Sequence, residues 1–424
     1  MNKRISFYFA SVCMMSLFLI SCEKDDTIPE KELIERKDIV LTRSQMDFVQ
    51  SNNQFAFDLF KKVSKNEDGK SVIISPLSVT FALGMVNNGA VGETQREISE
   101  ALGYHDESID DLNSYCKTML EQVTKIDTST NLKIANMVLV NKEHVPLKEE
   151  FTKTVENYFD ANVCYKDFAK EDVQSYANHW CEQKTHGMIK NFFTESLPSS
   201  IYAIFLNATY FKGIWTNKFK KSDSKKEKFS LIDGNKITVN MMHQQDKFNY
   251  GAIGGVCSML TLPYGNQAFR MVLVLPEVGK SVEDLRNSLS QELWTEIVNR
   301  QAGMEVDVKI PSFETGIGTI SLRRDLSELG IKRAFSESES DFSRMCDLPI
   351  SIDEVLHNAK IKVDETGSEA AAITAVIASV GAAGPIINKE PKIVEFHADH
   401  PFIYAITEVS TGAILFIGQY TGKE

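Results

Sequence analysis

The sequence predicts a single globular domain of the α+β class, in which helices and strands share one core. The chain has 424 residues, of which 43% are hydrophobic and 25% charged, enough for one large or two ordinary domains. Apolar residues recur at helical spacing over residues 45–63, whereas residues 361–363 and 402–409 are short, mostly apolar runs typical of strands. No break in composition separates these segments, so we expect one domain.

Local signals predict where the first helices begin. The periodic segment at residues 45–63 indicates a packed helix. The sequence SVIISPLSVTFALGM then indicates a short apolar strand and a buried helix, with Ser75 as the N-cap and Pro76 at the first helical position. Thr94 and Glu97 have the spacing of a capping box, which predicts the start of the next helix.

Charge and motif content exclude several classes of function. The net charge of −12 and the pI near 5.3 leave no basic surface for a phosphate backbone, so nucleic acid is not an expected partner. The chain has no G-x-S-x-G, H-E-x-x-H or Walker-type motif. His397 and His400 could form a metal pair, but residues three apart on a strand face opposite sides. We therefore predict no enzyme activity, no cofactor and no metal.

The cysteines of the predicted domain give no sign of disulfides. Their number is odd, and neither a C-x-x-C pair nor metal-like spacing occurs among them. They are Cys116, Cys164, Cys181, Cys257 and Cys346. We expect buried free thiols.

The N-terminus indicates an export signal. Lys3 and Arg4 precede an apolar run over residues 5–20, which is short for a membrane span and typical of a secretion signal. The sequence LISC that ends at Cys22 resembles the lipobox of bacterial lipoproteins, in which this cysteine is acylated. An ordinary signal peptide with an incidental cysteine is the alternative. The predicted boundaries are residues 1–21 for the signal peptide, 22–40 for a flexible tether and 41–424 for the domain.

An acidic cluster follows the lipidated cysteine directly. Residues 23–26 read Glu-Lys-Asp-Asp and resemble the surface-export tag of some Gram-negative lipoproteins. We therefore expect a lipid anchor in a bacterial membrane. The outer membrane, with the domain exposed at the cell surface, is the predicted location.

Residues 370–388 contain no charged and no aromatic side chain. Such small residues are typical of flexible linkers, but this stretch lies between two strand-like runs and is therefore an interior loop. With strand periodicity, one of its faces carries no charge and could be buried in a sheet. That face comprises Ser368, Ala370, Ala372, Thr374, Val376, Ala378 and Val380. The nearby acids Asp364, Glu365 and Glu369 are expected to be solvated.

Several separate blocks of the sequence resemble one known family. The segment ETGSEAAA at residues 365–372 resembles the hinge of the inhibitory serpins, and IISPLSVTFALGMVNNGAVGETQREISEALG resembles the second and third helices of that family. Further serpin-like blocks lie at residues 178–193, 205–219, 260–277, 329–345 and 400–420. The resemblance runs in order from residue 45 to the C-terminus.

This resemblance implies an α+β fold with a large, mostly antiparallel sheet, smaller sheets, surrounding helices and an exposed reactive-centre loop. It implies a monomeric suicide inhibitor of serine endopeptidases, with cysteine endopeptidases as a second target class: the protease cuts the loop, which inserts into the main sheet. A non-inhibitory serpin that acts as a binding or chaperone-like module is the alternative. The hinge is assigned to Glu365, Gly367, Ser368, Glu369, Ala370, Ala371 and Ala372. Thr366 departs from the family, which more often has Glu or Lys there.

The resemblance also implies two sites that act when the sheet opens. Ser75, Ser78, Asn207 and His357 match family positions that form a hydrogen-bonded cluster beneath the main sheet, where its central strands part. Trp215 matches the aromatic residue at the top of the sheet, where insertion begins. An ordinary buried core residue is the alternative for each.

The reactive bond is predicted from family spacing and side-chain chemistry together. Counting from Glu365 gives the bond Gly381-Ala382, but glycine offers a protease pocket no side chain, so Val380-Gly381 is the better prediction. Residues 370–388 contain no Lys, Arg, Phe, Tyr, Leu or Met, so trypsin-like and chymotrypsin-like pockets find no suitable side chain. We therefore predict an elastase-like serine protease as the covalent partner.

Overall fold

The computed structural model describes residues 35–67, 69–104, 109–144, 146–316, 318–368 and 393–423. The helices in these ranges are α1 (Arg43–Asn66), α2 (Pro76–Gly89), α3 (Gly92–Ala101), α4 (Ile109–Val123), α5 (Glu149–Phe159), α6 (Val173–Lys184), α7 (Val282–Ser288), α8 (Gln291–Asn299) and α9 (Arg323–Glu328), with a 3₁₀ turn at Arg333–Phe335. None of these helices is both long and apolar enough to cross a membrane.

Strands alternate with the helices along the whole described chain. They are β1 (Val72–Ile74), β2 (Asn131–Asn141), β3 (Ala161–Lys166), β4 (Ala203–Ile214), β5 (Lys225–Ser230), β6 (Lys236–Ile253), β7 (Cys257–Tyr264), β8 (Phe269–Pro276), β9 (Ala302–Pro311), β10 (Phe313–Thr315), β11 (Ile320–Ser321), β12 (Leu356–His357), β13 (Ile361–Asp364), β14 (Gly367–Ser368), β15 (Val394–His397), β16 (Phe402–Glu408) and β17 (Ile414–Tyr420). The two apolar runs predicted as strands are confirmed as β13 and β16.

Nine strands form the largest sheet, which we call the large sheet. Its order is β1-β17-β16-β8-β7-β6-β9-β15, and β5 pairs with β6. Its described pairs are antiparallel except for the parallel pair of β9 and β15. Strands β16 and β17 are buried along their whole length, so this part of the sheet lies in the core. The predicted large, mostly antiparallel sheet is confirmed.

A second sheet receives the predicted hinge, and we call it the hinge sheet. Its order is β10-β13-β14-β4-β2-β3, with β2 and β3 parallel. Strand β14 consists of only two residues, Gly367 and Ser368. The resemblance led us to expect the loop in the largest sheet, but the hinge lies in this six-stranded sheet, which is the smaller of the two, because β14 pairs with β13 and β4. Strands β11 and β12 form a separate two-stranded sheet.

Helix α2 packs against both sheets and forms the centre of the core. It contacts β4 of the hinge sheet and β17 of the large sheet, and all of its residues except Ala82 are buried. Ser75 caps this helix and Pro76 opens it, as predicted. The predicted helix at residues 45–63 is confirmed within α1, where Thr42 and Gln45 form the capping box.

The capping box predicted at Thr94 is wrong. Helix α3 begins earlier, at Gly92, and its N-cap Val91 makes no side-chain cap. The Thr94 hydroxyl instead accepts a hydrogen bond from the amide of Asp341 (3.0 Å). Glu97 accepts hydrogen bonds from the backbone amides of residues 332 and 333, both at 2.7 Å. Tertiary partners therefore replace the local pairing that the sequence spacing suggested.

The five cysteines of the domain are free thiols, and four of them are buried. The expectation of burial is wrong for Cys164, which is partly exposed and donates to the side chain of Asn162 (3.2 Å). Near the N-terminus, Ile39 is buried and its amide donates to the Ser410 hydroxyl (2.9 Å). Cys22, the predicted lipidation site, lies outside the described residues.

Candidate functional site

The hinge sheet contains a gap between strands β13 and β4. Strand β14 fills one end of it, pairing with β13 at Val363 and Asp364 and with β4 at Gly213 and Ile214. Residues 203–212 of β4 pair with β2 on one side, and their other edge pairs with no described strand. A strand edge of this kind is a template for an additional strand.

The two residues of β14 fit the gap closely. Gly367 has a φ of 152°, and a Cβ atom placed on it would lie 2.0 Å from the carbonyl oxygen of Gly213. Only glycine therefore allows this approach to β4. Ser368 is buried, on the side that strand periodicity predicted, and its hydroxyl lies 2.7 Å from the hydroxyl of Tyr264.

Trp215 contacts the hinge directly. Its indole nitrogen donates to the carbonyl of Asp364 and its amide to the carbonyl of Thr366, both at 2.9 Å. Its ring stacks on that of Tyr264, with a centroid separation of 4.3 Å and an interplanar angle of 13°. Trp215 and Tyr264 thus form one aromatic unit that holds both the turn before β14 and the side chain of Ser368.

The acids before β14 are not both solvated, and the expectation for Glu365 is wrong. Glu365 is 8% exposed; its carboxylate accepts a hydrogen bond from Asn240 and its carbonyl accepts one from the Phe219 amide, both at 3.0 Å. Burial raises the pKa of Glu365, but hydrogen bonds from its own backbone amide and from Asn240 outweigh this, so the pKa lies below its usual range. Asp364 is half-buried and accepts hydrogen bonds from the amide (2.8 Å) and hydroxyl (2.5 Å) of Thr366. The departure at Thr366 therefore closes a local turn.

Ser75, Ser78, Asn207 and His357 are brought together in one hydrogen-bonded cluster. The Ser78 hydroxyl donates to the side-chain oxygen of Asn207, and the Ser78 amide donates to the Ser75 hydroxyl (3.3 Å). The Ser75 hydroxyl donates in turn to the carbonyl of Leu415 in β17 (2.9 Å). The cluster therefore connects helix α2 with β4 of the hinge sheet and with the large sheet.

His357 completes this cluster as a hydrogen-bond acceptor. The backbone amide of Ser75 donates to its Nε2 atom (3.1 Å), so this nitrogen must carry a lone pair and the ring must be neutral. Burial lowers the pKa of His357 to about 4. Near neutral pH the ring is therefore uncharged and the hydrogen bond is intact.

Several residues of these sites were not predicted from the sequence. Asn207 donates to Asn136 of β2 (2.7 Å), which donates to the carbonyl of Phe159 (2.6 Å), so the polar cluster continues across the sheet. Asn136 lies inside an apolar strand sequence, and an amide at such a position could have been recognised as needing a buried partner. Tyr264 carried no comparable signal, because its partners lie far away in the sequence.

A cavity of 490 Å³ lies at the other end of the gap. Residues 203–205 of β4 line one side and Leu356 of β12 lines another, and both polar and apolar side chains surround it. The remaining predicted hinge and reactive-bond residues lie outside the described part of the chain. They are Glu369, Ala370, Ala371, Ala372, Val380, Gly381 and Ala382.

The described residues contain no cluster of ligands suited to a metal ion. His397 pairs with Asp307 (3.0 Å), which also accepts His243 (2.6 Å), whereas His400 pairs with Asp399 (2.9 Å). The two histidines of the suggested pair thus have different partners. They do not share a strand either, because β15 ends at His397.

The known proteins that this chain resembles include serpins, serpin-like proteins and an elastase inhibitor by their descriptions. The family described as "Serpin (serine protease inhibitor)" matches residues 50–422. The leukocyte elastase inhibitor of Homo sapiens is 33% identical, with coverage of 88% of this chain and 98% of its own. An uncharacterized serpin-like protein of Methanosarcina acetivorans is 30% identical over 99% of this chain and 98% of its own. The crystal structure of the thermophilic serpin Tengpin in its native state has a TM-score of 0.79 at 28% identity, covering 91% of this chain and 96% of its own.

Proposed function

Because the chain belongs to the serpin family of serine protease inhibitors, we propose that it is an irreversible suicide inhibitor of serine endopeptidases, with cysteine endopeptidases as a second target class. The target cuts the reactive loop and stays covalently attached while the loop enters the hinge sheet as a new strand. The observation that carries this proposal is the position of Gly367 and Ser368, which pair with both β13 and β4 at one end of the gap.

The register of β14 specifies how the insertion would continue. Gly367 pairs with Ile214 and Ser368 with Gly213, so the same antiparallel register places residue 378 opposite Ala203, the first residue of β4. The ten added residues would extend about 33 Å along the strand. Every second side chain would share the buried side of Ser368. These side chains are Ala370, Ala372, Thr374, Val376 and Ala378.

The inserting side chains suit the gap chemically. All are small or apolar except Thr374, so none brings an unpaired charge into the core. In the continued register Thr374 lies opposite Asn207, a member of the polar cluster, where a hydroxyl can find a hydrogen-bond partner. The new strand would also pair the free edge of β4 at residues 203–212.

The proposed target is an elastase-like serine protease. Val380 and the alanines near it suit a small primary pocket, whereas trypsin needs a cation and chymotrypsin a large ring. The name of one relative, the human leukocyte elastase inhibitor, supports the same class of target. The proposed reactive bond joins Val380 to Gly381.

Incubation with neutrophil elastase, pancreatic elastase and trypsin tests this function. We expect a complex with elastase that survives a denaturing gel, together with a released C-terminal peptide that begins at Gly381 by mass spectrometry. Trypsin should form no complex. A stable trypsin complex without an elastase complex would refute the specificity. Cleavage by all three without any complex would place the protein in the non-inhibitory, chaperone-like class.

We further propose that the mature protein is anchored by an acylated Cys22 in the bacterial outer membrane, with the domain at the cell surface. A diacylated cysteine with one further chain exceeds the two chains that stable attachment needs. The variant Cys22→Ala should move from the membrane fraction to the soluble fraction. Unchanged partitioning of this variant into detergent would refute the anchor.

A further inference from the structure

A polar pocket of 350 Å³ lies beside the large sheet, near the N-terminal segment. We call it the cationic pocket, because three basic side chains, Arg36, Lys247 and Arg270, line it. None of the described residues that line it is acidic, although the whole chain carries a net charge of −12. Basic side chains are thus concentrated among the lining residues of this pocket, although the protein as a whole is acidic.

Arg270 is the most constrained of the three cations. It lies on β8, partly buried, and its Nε atom donates to the hydroxyl of Thr407 (3.1 Å). Its two Nη atoms make no hydrogen bond with any described residue. Burial lowers the pKa of Arg270. The nearby carboxylate of Glu408 raises this pKa, whereas the positive charge of Arg36 lowers it further. A guanidinium with both Nη atoms free can donate to two oxygens of a tetrahedral anion.

Nearby carboxylates do not occupy this guanidinium. Both oxygens of Glu408 accept hydrogen bonds from the amides and hydroxyls of Ser410 and Thr411, at 2.6 to 2.8 Å. Asp38 pairs with Arg36 (2.7 Å). Lys247 is exposed and forms no ion pair within the described residues. Two of the three cations are therefore free to bind a ligand.

We propose that the cationic pocket binds a small sugar phosphate, with its phosphate on Arg270 and Lys247. The side-chain amides of Asn249 and Gln267 also line the pocket and make no hydrogen bond with described residues, so they can bind sugar hydroxyls. Phe248 supplies an apolar wall. The volume lies in the range of small-ligand sites.

The pocket also adjoins the segment that holds the hinge. Thr216 lines the pocket and directly follows Trp215, which contacts the hinge. The Thr216 amide donates to the carbonyl of Pro263, another lining residue (2.9 Å). A ligand that binds only the folded state stabilises it in proportion to its occupancy, so binding should raise the melting temperature.

Calorimetry with glucose 6-phosphate at constant ionic strength tests the proposal. We expect wild-type protein to bind it, Arg270→Gln to bind at least tenfold more weakly, and Arg270→Lys to lie between them. Lys280→Gln removes an exposed charge beyond the opposite end of β8 and should bind like wild type. Lys247→Gln supplies a second test if Arg270→Gln does not fold, because Lys247 is exposed.

Further ligands show whether the pocket recognises a sugar phosphate, any tetrahedral anion or the phosphate of a lipid headgroup. Glucose should not bind, and glucose 6-sulfate tests whether any tetrahedral anion suffices. Vesicles that contain phosphatidylglycerol test a lipid headgroup: binding to them that Arg270→Gln abolishes would assign the phosphate to a lipid. No binding of any phosphate by wild type, or equal binding by Arg270→Gln, would overturn the proposal. Protease inhibition is not involved in these readouts.

Discussion

Protonation of His357 should weaken the polar cluster beneath the hinge sheet. The ring accepts a hydrogen bond from the backbone amide of Ser75. Ser75 is also the N-cap residue of helix α2. A proton on Nε2 would place two donors against each other and leave a cation in a fully buried position. Mildly acidic pH should therefore destabilise the region where β4 and β13 part.

The size of this effect follows from the pKa of His357. It falls from an ordinary value of 6.5 to about 4 in the folded protein because of burial. The unfolded chain therefore takes up this proton at higher pH than the folded chain. The stabilising contribution is complete above pH 6.5 and is lost progressively as the pH falls towards 4. At pH 5 the loss is about 2 kcal/mol of unfolding free energy.

Urea unfolding at pH 7.5 and pH 5 provides the measurement, with wild type and His357→Gln compared at each pH. Glutamine keeps an oxygen that can accept from the Ser75 amide but does not titrate. Wild type should lose about 2 kcal/mol more than the variant between the two pH values. His400→Gln removes a partly exposed histidine outside the cluster and should behave like wild type. An equal pH dependence of wild type and His357→Gln would show that other groups cause the loss.

Three further predictions concern the hinge. Ser368→Arg should leave the loop cleavable but abolish complex formation, because a guanidinium without a partner would be buried beside Tyr264. The control Ser368→Ala should still inhibit. Inhibition by the arginine variant would refute insertion at this position. Gly367→Ala should increase the fraction of protein that is cut without inhibiting, because the new Cβ atom would lie 2.0 Å from the carbonyl oxygen of Gly213. Titration of elastase activity measures this fraction. Cleavage within residues 381–387 should raise the melting temperature sharply, because the freed strand can pair with β4; an equal or lower midpoint in the cut protein would mean that the loop does not insert.

Local patterns predicted those parts of the fold that depend on neighbouring residues. The helix α1 follows from apolar periodicity, and the start of α2 follows from Ser75 and Pro76, because caps and helical faces involve residues three or four positions apart. The buried side of Ser368 follows from strand alternation in the same way. The serpin-like blocks predicted the family, and the family in turn predicted that Ser75, Ser78, Asn207 and His357 form one cluster.

Local patterns failed where a distant residue competes for a group. Thr94 has capping-box spacing, yet its hydroxyl binds the amide of Asp341. Glu365 was expected in solvent because it lies near the predicted exposed loop, yet Asn240 donates a hydrogen bond to its carboxylate. Neither partner can be chosen from sequence, because many polar residues are available at similar separations.

By itself, the sequence determined helices α1 and α2, strands β13 and β16, and which face of the loop carries no charge. It also determined the small side chains from which an elastase-like target is proposed. Only the tertiary structure decided that β13 and β4 stand apart, that Tyr264 meets Ser368 across 104 positions, and that Ser75 meets His357 across 282. The physical reason is the sequence separation of the partners. Contacts within a turn or a strand follow from local backbone geometry, whereas a buried polar group forms its hydrogen bond with whichever residue the packed core places beside it.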